Sequence, residues 1–231
     1  TVLFGGYGSS NTLVNNSNQS GAAGTLTIGS GITVHGKNGQ ILNQFANGTI
    51  LNQGTISADV SGGFIVLGSS TTGTLINQGT LSVLNGGQLN VNGAWSGAAG
   101  SSIIAGAGST LNLGNSFNDW SNAGTITATN ATVNLNGTFT QATMGTFNRS
   151  GGTVNLNALV NGNLALTAAT GSWNMVSSAN LQNGTYSASG GASMTVLNGT
   201  FNNVIANGPV SVNGSGGVLT VVGGLMLNDV L

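Results

Sequence analysis

Thr132-Val133-Asn134-Leu135-Asn136-Gly137 is followed, 21 residues on, by Thr153-Val154-Asn155-Leu156-Asn157. Before it, at steps of 22, stand Thr110-Leu111-Asn112-Leu113-Gly114 and Gln88-Leu89-Asn90-Val91-Asn92-Gly93. Looser members, Ser172-Trp173-Asn174-Met175 and Ser193-Met194-Thr195-Val196, carry the series further. Apolar and polar residues alternate in each, which sends successive side chains to opposite faces of a strand. Recurrence at a nearly constant step marks the strands as copies of one unit.

A second series supports the first. Residues 48–57 read GTILNQGTIS and residues 73–82 read GTLINQGTLS, an offset of 25. Glycines ahead of Thr- or Ser-led runs recur at Gly54, Gly79, Gly100, Gly124 and Gly145. Asn-Gly and Gly-Gly pairs between runs predict turns, because both residues tolerate positive φ. Asn-Gly is also the strongest short hairpin signal. Like residues returning at like positions favour a different solution, a coil that lays each strand parallel to and in register with its copy. No window shows the i, i+3, i+4, i+7 spacing of an amphipathic helix. The expected fold is all-β: a single parallel β-helix, or β-solenoid, with essentially no α-helix. At a period near 22 and ~4.8 Å per coil, it has roughly ten coils and is about 50 Å long. Residues 1–21 read as an N-terminal strand or extension able to reach a neighbouring subunit, and residues 22–231 as the solenoid.

The composition follows from such stacking. Of 231 residues only Lys37, Arg149, Asp59, Asp119 and Asp229 carry charge, while Asn contributes 33 and Gly 41. A charge repeated at one interstrand spacing repels itself, whereas Asn and Thr form hydrogen-bonded ladders. Two basic residues cannot neutralise a phosphate backbone, so no nucleic-acid partner is expected. No apolar run reaches the ~18 residues of a membrane helix, so no membrane span is expected. The absence of Cys removes disulfides and thiolate chemistry. The start at Thr1-Val2-Leu3-Phe4, without a basic n-region, reads as a processed mature end or an excised fragment.

The segments GTFNRSGGTVNLNALVNGNLALTAATGSW (145–173) and NGTYSASGGASMTVLNGTFNNVIANG (183–208) resemble the β-strand repeats of large exported bacterial surface proteins. Those are autotransporter passengers and filamentous-haemagglutinin-type adhesins. The resemblance spans roughly residues 22–228. It implies export to the cell surface, a right-handed parallel β-helix, and a structural or adhesive role.

Catalytic constellations are sparse. Asp59, Asp119 and Asp229 lie 60 and 110 residues apart. On a ~22-residue period Asp119 and Asp229 share a face at roughly 24 Å, too far for joint work. His35 and Lys37 fall in a Gly-flanked turn, and no second His offers a metal site. No enzyme activity and no cofactor are expected. Trp95, Trp120 and Phe139 sit at equivalent repeat positions, as an aromatic stack in the core if inward or as a stacking platform for surface glycans if outward. Thr-x-Thr at Thr25/Thr27, Thr125/Thr127 and Thr138/Thr140 resembles the arrays of ice-binding solenoids, a third functional class. Asn-x-Ser/Thr sequons, such as Asn47, Asn136, Asn183 and Asn198, come with the Asn-Gly-Thr turns.

Solenoid ends need polar caps, and none is visible here. The N-terminal Val2, Leu3, Phe4 and Tyr7 and the C-terminal Leu225, Met226, Leu227, Val230 and Leu231 are apolar and strand-like. Such ends predict either a longer solenoid or end-to-end contacts between copies. Head-to-tail contacts that never close give a filament. The partner expected first is therefore the protein itself, as a homopolymer outside the cell.

Overall fold

A computed structural model describes residues 1–6, 11–17, 21–68, 73–115, 118–177, 179–213 and 216–228. The chain coils into an all-β parallel solenoid of about nine turns with 62% of residues in strands. Among the described residues the helical content is one 3₁₀ turn, Gln141–Thr143.

Each early coil has three faces. The first face stacks Val2–Phe4, Thr33–Gly36, Thr55–Ala58, Thr80–Val83, Ser102–Ala105, Thr125–Thr129 and Thr146–Ser150. The second begins with Thr12–Asn15, Asn38–Asn43, Phe64–Leu67, Gln88–Val91 and Thr110–Leu113. It continues through Thr132–Phe139 and Thr153–Asn161 to Trp173–Met175, Met194–Val196 and Val210–Val212. The third stacks Gly24–Ile28, Gly48–Asn52, Thr74–Asn77, Ala94–Gly97 and Trp120–Asn122. The 22-residue series is the second face: Gln88, Thr110, Thr132 and Thr153 are direct partners. The 25-residue motif wraps the corner from third face to first, pairing Thr49 with Thr74 and Thr55 with Thr80.

Alternation fills the interior with continuous columns. On the second face Leu13, Ile41, Leu67, Val91, Leu113, Leu135, Leu156, Met175, Val196 and Val212 stand one above another. Those from Ile41 to Val196 are fully buried. Each such side chain contributes roughly 1.5–3 kcal/mol by leaving water. One position outward, Asn112 donates to Asn90 Oδ1 and Asn134 to Asn112 Oδ1, both at 2.6 Å. Asn155 donates to Asn134 at 2.9 Å and Asn174 to Asn155 at 3.2 Å. The expected uncharged ladder is thus a directional chain of amide bonds.

Several expectations shift in detail. The series ahead of the first-face strands is Gly54, Gly79, Ser101, Gly124 and Gly145, with Ser101 in place of Gly100. There the connection has four residues where neighbouring coils have two, and it closes with Ser101 N–H donating to the Ala98 carbonyl at 3.1 Å. Asn136-Gly137 and Asn183-Gly184 lie inside long strands and do not end them, whereas Asn198-Gly199 opens one. Gly137 at φ 75° and Asn183 at φ 54° bend those strands around corners without breaking the ladder. His35 belongs to the strand Thr33–Gly36 and not to a turn. Within the segment 1–21, Val2–Phe4 pairs with Val34–Gly36 and Thr12–Asn15 with Gln40–Asn43 of the same chain. Those residues are the first coil of the solenoid.

Candidate functional site

The third-face column runs Leu26, Ile50, Leu75, Trp95, Trp120 and then, through the Asp119–Thr138 bridge, Phe139, Val160, Leu181, Phe201 and Val221. The three aromatics therefore occupy one column, as their spacing suggested, and they point inward: Trp95, Trp120 and Phe139 are buried. Trp95 and Trp120 stack with centroids 5.0 Å apart and planes 8° apart. Phe139 lies 4.6 Å from Trp120 at 31°. The ring faces are thus occupied by one another. Trp120 Nε1 donates to the Asn136 carbonyl at 2.8 Å, whereas the buried Trp95 Nε1 has no hydrogen-bond partner.

Above this column the outward residues are small: Ala94 and Ser96 on one coil, Ser121 on the next. Short side chains on this outer face leave a groove of about 540 Å³. Thr74, Ile76, Asp119, Thr138 and the turn residues Thr140 and Thr143 rim it. Asp119 is exposed and is the one charge on that rim. The groove offers hydroxyls and one carboxylate to a neutral, hydroxyl-rich ligand.

The remaining titratable groups are dispersed. His35 Nδ1 lies 3.0 Å from Asp59 Oδ2, with side chains 31% and 28% exposed. Asp59 Oδ1 also accepts the Gly36 N–H at 3.2 Å. The 24 residues between His35 and Asp59 are one coil, His35 to Ser57, plus two. Arg149 donates to the carbonyls of Gly151, Gly152 and Ser172, tying two coils together. No group of three metal-ligating side chains occurs among the described residues.

The ends form the other candidate surface. On the first coil Leu3 is 67% exposed and Val2 39%, while Phe4 is buried against Gly39 of the next coil. On the last, Val218–Leu227 pairs on one side only, with Asn198–Asn207. Met226 is 56% exposed, Leu227 44%, and Leu225 half-buried. Tyr7, Val230 and Leu231, together with Asp229, lie outside the described residues. At both ends residues that pack against the core are only partly buried, Leu13 and Leu26 at one and Leu219 and Leu225 at the other.

No family model, no curated protein and no solved structure matches this chain. Among the described residues no helix is long and apolar enough to cross a membrane.

Proposed function

We propose that this chain is a structural subunit of an extracellular bacterial filament or surface fibre, built by head-to-tail stacking of β-solenoid protomers. The observation that carries this reading is the strand Val218–Leu227. Its ten residues, apolar apart from Thr220, form a long sheet edge that among the described residues pairs on one side only. An edge of that kind is a template for another strand. Among the described residues the first coil offers the counterpart edge in Val2–Phe4 and Gly24–Ile28, each with a strand partner on one side. None of these strands at either end contains a charged residue, so stacking them buries no unpaired ion.

Size-exclusion chromatography with negative-stain microscopy tests the reading. Filaments many times longer than one protomer are expected, and Val221→Lys, which places an ammonium on the free edge, should abolish them. Single rods of one chain's length at high concentration would overturn the proposal.

A second reading, an adhesin or passenger domain binding surface glycans, is favoured by the groove over Trp95 and Trp120. Truncating those rings would damage the core, so the informative variants are Ser121→Trp, which fills the groove, and Asp119→Asn. Loss of glycan-array binding in both, with an unchanged melting temperature, supports adhesion. Binding unchanged by either variant removes the groove from consideration.

A further inference from the structure

The columns that run through the solenoid also specify how two copies would meet. We infer that the free edge of Val218–Val222 pairs in parallel with Gly24–Ile28 of a second copy, Thr220 opposite Thr25 and Val221 opposite Leu26. This rests on the stacking reading above and adds the register. Three independent columns agree on it.

The first is the inward column of the third face. It ends at one side in Phe201 and Val221 and begins at the other in Leu26 and Ile50. Apposing Val221 and Leu26 makes it continuous through the joint. The second is the outward position beside it. Thr200 partners Thr220 at one end, and Thr25, Thr49 and Thr74 follow one another at the other. The same register joins them into one threonine ladder. The third is the neighbouring inward position, which holds only small residues for most of the rod. Gly24, Gly48 and Gly73 lead it, and Gly137, Ala158, Ala179 and Gly199 close it before Leu219. Leu219, half-buried at the free edge, would sit over Gly24, the first-coil member of this small-residue column.

The second face tolerates the same joint. Val212, 48% exposed, ends the column that Leu13 begins. A slip of one residue would turn Val221 outward and Thr220 onto the open core, reversing every face. A slip of two would keep the faces but set Leu219 against Leu26 and Val221 against Ile28, and Thr220 would meet Thr27, off the Thr25–Thr49–Thr74 row.

The chain has no cysteine, so a designed pair reports the register without background. Within one chain Thr25 and Thr220 lie at opposite ends of the rod, roughly 40 Å apart at ~4.8 Å per coil, so any bond between them joins two copies. In the inferred register their Cα atoms would be about 4.8 Å apart, inside the range a disulfide spans. Thr25→Cys/Thr220→Cys, mildly oxidised, should give a ladder of covalent multimers on a non-reducing gel that collapses on reduction. Thr27→Cys/Thr220→Cys places the pair about 8 Å apart and should cross-link at least roughly tenfold less. Filaments in micrographs without the Thr25–Thr220 cross-link, or with Thr27–Thr220 favoured, would overturn the register and leave the filament reading standing. A parent chain that forms no oligomer at all overturns both.

Discussion

The two halves of the rod use asparagine in opposite ways at their corners. In the early coils it turns inward where the third face meets the first. Asn52 donates to Asn77 Oδ1 at 2.8 Å and to the Thr80 carbonyl at 3.2 Å. Asn77 donates to the Gly79 carbonyl at 3.3 Å, and Asn122 to those of Gly124 and Met144 at 3.1 and 3.2 Å. All three are buried. In the late coils it turns outward. Asn183 and Asn203 hold φ 54° and 55° and bend Ala179–Ala188 and Asn198–Asn207, and Gly223 takes their place in Val218–Leu227. The inward residue is chosen for what its amide bonds, the outward one for a backbone angle few residues tolerate. One composition thus supports two corner designs, with separate short strands on one side and continuous bent strands on the other.

The largest effect on that comparison is expected where the halves join. Trp120 sits between Trp95 of the separate-strand coils and Phe139 of the first bent strand. Trp120→Ala should cost about 3–5 kcal/mol in urea unfolding and allow the two halves to melt apart. Asn77→Ala removes the acceptor of one buried amide and the donor to a corner carbonyl, for roughly 2–3 kcal/mol. Asn77→Gly should be no better, because the amide and not the backbone angle is lost. Asn203→Ala should cost about 1–2 kcal/mol through its left-handed φ, and here Asn203→Gly should restore most of the midpoint. Equal rescue by glycine at both positions would erase the distinction between the corners. Smallest of all, Val221→Lys should leave the unfolding midpoint within about 0.5 kcal/mol, since its side chain is half exposed at the free edge. A large loss of stability there would mean the last coil is held by contacts across it.

The middle of the second face was legible because its strands from Gln88 to Asn161 follow one another at steps of 22, 22 and 21, so Thr132 and Thr153 align by inspection. The same alignment put Trp173 over Val154 and hence inward, where it is buried. The corners were less legible. Asn-Gly signals a φ above zero but not whether the ladder stops there, and at Gly137 and Asn183 the neighbouring coil keeps the strand paired through the bend. The orientation of Trp95 and Trp120 was open for a related reason: alternation resets at each corner, so phase on one face does not carry to the next. The His35–Asp59 contact was hidden because coil lengths vary between 16 and 28 residues, as the second-face partners Val196/Val212 and Asn15/Asn43 show. The groove was not legible at all, being a shortage of bulk at Ala94, Ser96 and Ser121 above large residues on the opposite side of the sheet.

The amide chain on the second face has a bearing on how such a rod ages. Every amide from Asn174 to Asn112 donates in one direction, and Asn134 gives its proton to Asn112 while accepting one from Asn155. Hydrolysis of that one side chain to a carboxylate would set acceptor against acceptor and place a charge in a column that has none. The ladder makes its own members reluctant to react, since each amide is held in strand geometry by its neighbours. It also makes the first lesion costly for the next, so chemical wear along this face should spread from a defect rather than accumulate at random.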